Sequence, residues 1–244
     1  MKRKQFIKTS LLGGLSLSVL TQLAFNPFQE IYTREELIGK DNSDMIGLKF
    51  LMKTKAYSSF VTMQSHAYKA KVAIRVVSGY RSFEKQKQIF ENKYSLYLSE
   101  GMSPKEAINK IIEYSTIPGT SRHHWGTDVD VFDSSMPQPE SILEEEHYYN
   151  DGCYTKLKKW MDENANRFGF YEVYTNNPER KGFKHEPWHY SYAPLAKPML
   201  QEYRNLDLKS IFEEENILGN EHFSKKFINR YRDENILDIN PELI

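Results

Sequence analysis

Two short segments gather most of the side chains in this 244-residue chain that could do chemistry. The first is Ser121-Arg122-His123-His124-Trp125-Gly126-Thr127-Asp128-Val129-Asp130, with two histidines before a glycine and two aspartates after it. A bend at Gly126 would bring His123 and Asp130 together, and imidazole with carboxylate is a donor set that zinc accepts. A loop rich in histidine and aspartate can also close on itself as a hydrogen-bonded network, so the spacing alone leaves both outcomes open. The second segment, His185-Glu186-Pro187-Trp188-His189, formally matches His-Glu-x-x-His, in which a helix places two histidines one turn apart on a zinc ion. On a strand the same two residues lie about 13 Å apart and cannot share a metal. Pro187 disfavours helix at Glu186, and the Trp, Tyr, Ser, Tyr composition that follows favours extended chain. The helical reading is therefore rejected. His185 is expected in a groove or on the surface, and Glu186 with His189 is the pair to keep. Cys153 is the only cysteine, which excludes an intrachain disulfide and a cysteine-based zinc site, and it is read as structural.

Elements able to position these residues can be traced on either side of them. Phe60, Met63 and Ala67 share a helical face within 46–70. Val72-Ala73-Ile74-Arg75-Val76-Val77 is a β-branched run stopped at Ser78-Gly79, so Arg81 is placed just past a strand end. Residues 82–99 read as helix, and Ser103-Pro104-Lys105-Glu106 is a capping box opening another, to about 114. Thr127 to Phe132 alternates as a strand with Val129 and Val131 on one face and Asp128 and Asp130 on the other. Leu157, Trp160, Met161, Ala165 and Phe168 make an amphipathic helix that Gly169 can end. Strands are expected at Phe170 to Tyr174 and Trp188 to Tyr192. Helices and strands mix without regular alternation, so the expected fold class is α+β, a small, mainly antiparallel sheet flanked by helices. The organisation read from the chain is an export signal at 1–25, a polar linker at 26–45, the main domain at 46–199 and a charged helical appendage at 200–244.

The export reading rests on Lys2, Arg3, Lys4 and Lys8 followed by a mainly apolar run from Leu11 to Phe25. That run is shorter than the roughly 20 residues of a spanning helix, and an uncleaved signal is the one membrane tether the sequence offers. The expected location is the periplasm or cell envelope. Lys plus Arg and Asp plus Glu are both 33, so composition gives no case for a nucleic-acid partner. Removing residues 1–24 takes four basic residues and no acidic ones, leaving a mildly acidic remainder.

Taken in order, Ser78-Gly79-Tyr80-Arg81-Ser82, then Ser121-x-His123 with Gly126 and Asp130, then Glu186-x-Trp188-His189 resemble the VanY-type D-alanyl-D-alanine carboxypeptidases and related L,D-carboxypeptidases. These zinc metallopeptidases belong to the LAS group, which also holds lysostaphin-type enzymes and the hedgehog domain. The resemblance covers about residues 55–197. It implies a hedgehog- and DD-peptidase-like fold and a Zn²⁺ ion held by His123, Asp130 and His189. It also implies Glu186 as general base and Arg81 as the cation that neutralises charge on the carbonyl oxygen. Gln86, Ser121, Ser78 and Trp188 are implied as substrate-binding residues. The implied substrate is the peptidoglycan stem peptide, cut at a bond involving a D-amino acid, with the D,D or L,D choice open. Asp128 stands where such sequences commonly carry Ala, and could be an alternative ligand, a partner of a ligating histidine, or a binder of a cationic group. Ser191 stands where they often carry Arg. His124 and Trp125 replace smaller or polar residues, so a bulkier pocket wall is expected. A reading of a different class is a zinc-stabilised module that binds cell-wall peptide without cleaving it. The retention of Glu186 and Arg81, neither of them a ligand, weighs against it.

Overall fold

Thr33 starts the part of the chain that matters here: its hydroxyl accepts the N–H of Glu36 and caps a single turn, α1 (Arg34–Leu37). The computed structural model describes residues 32–244, so the expected export signal lies outside the described residues. A short antiparallel pair, β1 (Met45–Ile46) and β2 (Met52–Lys53), leads into α2 (Thr54–Lys69), which buries Ala56, Phe60, Met63 and Ala67 as its spacing requires. Then come β3 (Ile74–Ser78), α3 (Phe83–Ser99) and α4 (Pro104–Ile111), the last opened by the Ser103–Glu106 capping box. A 3₁₀ turn at Arg122–Trp125 precedes β4 (Asp128–Asp133). After α5 (Thr155–Asn164) the chain forms β5 (Phe170–Glu172), β6 (His189–Tyr192), α6 (Ala193–Tyr203), α7 (Leu208–Glu214) and α8 (Lys225–Tyr231).

The main sheet has the order β3-β4-β6-β5, with every neighbouring pair antiparallel. One apolar cluster joins α2 and α5 to the sheet through Phe60, Met63, Val129, Val131, Met161 and Tyr190. A second is built from α3, α4 and α6 to α8, around Phe90, Ile108, Met199, Phe212 and Tyr231. This is the α+β class expected, with helices flanking a small antiparallel sheet.

Two boundaries differ from expectation. Residues 32–45 do not behave as a linker: Leu37 and Ile38 are fully buried in the second cluster, and Lys53 pairs with Glu36 in a half-buried contact. The polar residues around that apolar pair hid it. Nor is 200–244 an appendage, because it completes the same cluster and reaches back to the loop before the 3₁₀ turn. Tyr203 donates to the Gly119 carbonyl at 2.7 Å, Tyr231 accepts the Ile117 N–H at 3.1 Å and meets the Thr120 hydroxyl at 2.8 Å, and Asn235 donates to the Ile112 carbonyl at 3.2 Å. Residues 32–244 form one compact unit.

The Tyr231 clamp gives a pH prediction. Burial pushes its phenol up to about 12. The folded state therefore favours the neutral form, and that stabilisation is complete below the free phenol value of about 10 and lost as pH rises from there towards 12. Denaturant unfolding at pH 8 and pH 11 should show a loss of about 1.4 kcal/mol from this group alone. Tyr231→Phe should remove that part of the slope, at a cost of about 1–2 kcal/mol at pH 8 from the unpaired Ile117 N–H.

Candidate metal centre and active site

Alternation along β4 turns Val129 and Val131 into the apolar cluster and Asp128 and Asp130 to the opposite face. On β6, His189 stands directly across from Asp130 and Ser191 across from Asp128. The third member of the site, His123, comes from the 3₁₀ turn, which Gly126 ends in the left-handed conformation, φ +66°. The positive φ favours glycine, and a Cβ there would also meet the Lys53 backbone nitrogen at 3.1 Å and displace the tip of Met45, so a larger residue would strain the bend that delivers His123 to the strand.

The ring of His123 is fixed by Nδ1, which lies 2.9 Å from the Gly79 carbonyl and donates to it, leaving Nε2 3.3 Å from Asp130 Oδ2. Nδ1 of His189 lies 3.9 Å from Asp130 Oδ1. One donor atom from each of His123, Asp130 and His189 lies within 4.8 Å of the others, and all three residues are buried. Asp130 Oδ1 is buried without a hydrogen-bond donor. A buried acceptor left in that state costs about 1–3 kcal/mol, and a cation among the three groups would satisfy it. Two imidazoles and a carboxylate, with a fourth position open, are a donor set that fits catalytic zinc.

Glu186 completes the constellation. Its backbone N–H donates to the Tyr174 carbonyl at 3.1 Å, its carbonyl accepts the His189 N–H at 3.1 Å, and its carboxylate oxygen Oε2 lies 2.9 Å from His189 Nδ1. Residues 186–189 thus form a turn into β6, not a helix. His185 is held elsewhere, between Glu145 at 2.8 Å and Glu172 at 2.9 Å. Burial opposes charge on His189, but hydrogen bonds to Asp128 and Glu186 outweigh it and raise the ring to about 10. Asp128, Asp130 and Glu186 thus place three carboxylates around this one ring.

Arg81 follows a bulge between Val76 and Ser78, a distortion that re-aims the chain at the end of β3. Its Nη1 donates to Gln86 Oε1 at 2.8 Å and its Nη2 to Ser78 Oγ at 3.0 Å. Its N–H donates to the His123 carbonyl at 3.0 Å, and its own carbonyl accepts Nδ1–H of His124 at 2.6 Å. Burial holds His124 at about 3, hence neutral, with Nε2 accepting the Gly119 N–H at 3.1 Å.

A cavity of about 140 Å³ opens onto these groups, lined by Arg81, Ser121, His123, Asp130, Glu186 and His189, with Tyr114, Leu143, Tyr174 and Phe183 among its further walls. Of the residues expected to contact substrate, only Ser121 lines this cavity. Gln86 is fully buried behind Arg81 and anchored to the Thr116 carbonyl at 2.7 Å. Ser78 is likewise a hydrogen-bond partner of Arg81, and Trp188 packs in the apolar cluster against Tyr148, with ring centroids 5.7 Å apart. Nor do His124 and Trp125 make the pocket wall bulkier. Trp125 is buried with its indole N–H on the Leu37 carbonyl at 3.0 Å. Asp128 is not among the three converging groups: it lies behind His189, 3.0 Å from Nε2. Arg122 joins it there, with Nε 3.0 Å from Asp128 Oδ1 and Nη2 2.7 Å from Ser191 Oγ. Reasoning from sequence missed Arg122 and Tyr174, the second of which stands edge-on to His189 at 5.2 Å. The charged residue inside the motif was the available signal for the first.

Residues 49–195 match the family model described as VanY, D-alanyl-D-alanine carboxypeptidase. The chain belongs to that family. A Haemophilus influenzae protein described as uncharacterized is 39% identical over 105 residues, which are 42% of this chain and 80% of that protein. A D-alanyl-D-alanine carboxypeptidase of Enterococcus faecalis is 33% identical over 121 residues, 49% of this chain but only 40% of the relative. The LdcB LD-carboxypeptidase, whose structure is described in terms of peptidoglycan recognition, superposes with a TM-score of 0.52 at 26% identity, over 71% of this chain and 78% of that one. A mutant of the D,D-pentapeptidase VanY in complex with Zn(II) gives 0.50 at 25% identity, over 69% of this chain and 89% of that one.

Proposed function

We propose that this protein is a zinc-dependent carboxypeptidase that removes a terminal D-amino acid from the peptidoglycan stem peptide. The observation that carries the reading is the convergence of three buried donor atoms, from His123, Asp130 and His189, beside a carboxylate and a guanidinium that share one cavity. Zinc held by those three residues would act as a Lewis acid towards the scissile carbonyl and make water a stronger nucleophile at neutral pH. Glu186 takes the proton of the attacking water and returns it to the leaving amine. Arg81, with its fork held by Gln86 and Ser78, presents fixed positive charge to the oxygen on which negative charge develops. Ser121, on the cavity wall, is placed to contact substrate. The action of relatives named for D-alanyl-D-alanine and LD-carboxypeptidase activities supports this substrate class.

We further propose that the protein acts outside the cytoplasmic membrane, on the strength of the basic and apolar N-terminal sequence. Among the described residues no helix is long and apolar enough to cross a membrane. Purified protein incubated with pentapeptide and tetrapeptide muropeptides should release one residue from one of them. A chelator should abolish the release and added zinc restore it. Cleavage of the pentapeptide alone would define a D,D-enzyme and of the tetrapeptide alone an L,D-enzyme. No chelator-sensitive release from either would overturn the proposal.

A further inference from the structure

Asp128 is fully buried, lies two residues from Asp130 on the same face of β4, and is outside the group of converging donor atoms. Four side chains nevertheless meet its two oxygens. Arg122 Nε and His189 Nε2 lie 3.0 Å from Oδ1, and the hydroxyls of Thr127 and Ser191 donate to Oδ2 at 2.5 and 2.8 Å. A carboxylate so completely engaged has no lone pair directed at the cavity. Its place is on the far side of the one ring whose near nitrogen, Nδ1, faces Asp130 and Glu186.

We propose that Asp128, itself held by Arg122, Thr127 and Ser191, is the positioning residue that orients His189 for metal binding. The inference rests on the metal-centre reading above and adds to it the cause of the ligand's geometry. An imidazole presents one nitrogen to a metal only if the proton resides on the other, and a carboxylate at Nε2 fixes both the tautomer and the ring plane. Arg122 serves the carboxylate in turn. It is 3% exposed, its guanidinium lies 4.7 Å over the Trp125 ring, and its Nη1 is buried without a hydrogen-bond partner. An arginine kept here with one donor unmatched is explained by the two contacts it does make, to Asp128 and to Ser191, which stand opposite each other on β4 and β6.

The test is zinc affinity, measured by competition with a chromophoric chelator, on the full chain and three variants. Asp128→Ala should weaken zinc about 10–100-fold, the range expected when the outer partner of a ligating histidine is lost. Asp128→Asn keeps an acceptor for Nε2–H without the charge, and should fall between Asp128→Ala and the parent. The double variant Asp128→Ala/Arg122→Met removes the whole ion pair and should recover the thermal midpoint lost in Asp128→Ala, because an apolar replacement of a buried pair is tolerated better than half of one. Its zinc affinity should stay low. If Asp128→Ala does not fold, the asparagine and double variants carry the comparison. Affinities within twofold of the parent in the variants would overturn the proposal while leaving the metal centre standing, as would affinity that recovers together with stability in the double variant. A parent protein that binds no zinc would overturn the metal centre and this inference together.

Discussion

Replacing Glu186 by alanine should lower stem-peptide hydrolysis by about 10²–10⁴-fold, the usual contribution of a positioned general base, while zinc stays bound. Both halves of that expectation follow from where the residue sits. Its carboxylate touches His189 Nδ1 at 2.9 Å and lines the cavity, yet it is not one of the three groups whose donor atoms converge. Removing it leaves the two imidazoles and the Asp130 carboxylate in place. The backbone turn also survives, since the Glu186 N–H and carbonyl hold Tyr174 and His189 without help from the side chain. The measurement is paired: turnover of a muropeptide and zinc content of the same preparation. Loss of zinc together with activity would move Glu186 into the metal-binding set, and unchanged turnover would remove it from the chemistry.

Arg81 should be nearly as costly to lose, with Arg81→Ala reducing kcat by about 10²–10³-fold, as for a missing donor to a developing oxyanion. Arg81→Lys should recover little of this. One ammonium cannot hold Gln86 Oε1 and Ser78 Oγ at the two ends of a planar fork, so its charge would not be fixed where the arginine's is. Gln86→Leu should then reproduce a milder form of the same defect, in kcat more than in KM, because Gln86 is buried behind Arg81 and not in the cavity wall. A Gln86→Leu effect confined to KM would instead mean direct contact with substrate.

The elements that position the site were legible wherever one periodicity dominated. Val129 and Val131 alternate with Asp128 and Asp130, and that alternation alone places both acids on the face opposite the core. Pro187 was enough to reject a helix and so to separate His185 from the pair that matters. What escaped was direction and pairing across distance. Motif membership put Gln86, Ser78 and Trp188 near the site but did not say that the first two face Arg81 and the third faces Tyr148. Asp128 as partner of a ligating histidine was one of three readings open in the sequence; the contacts that favour it, with His189 and with Ser191 63 positions away, are supplied by no local pattern. Leu37 and Ile38 were lost among polar residues because two apolar side chains make no period, although their burial beside Trp125 supports the turn that carries His123.

The clamp formed by the last helices has a kinetic consequence. Tyr231 holds Ile117 across 114 positions, Asn235 holds Ile112 across 123, and Tyr203 holds Gly119 across 84. Closing loops of that length costs chain entropy before any contact repays it, so these pairings are expected to form late in folding. A refolding experiment should then find the segment that leads to Ser121 and His123 among the later ones to gain protection from hydrogen exchange. A chain made from its N-terminus is expected to set the loop before Ser121 and His123 only once residues 203–235 are available to fold against it, so an unfinished chain would carry the candidate ligands without the arrangement that brings them together.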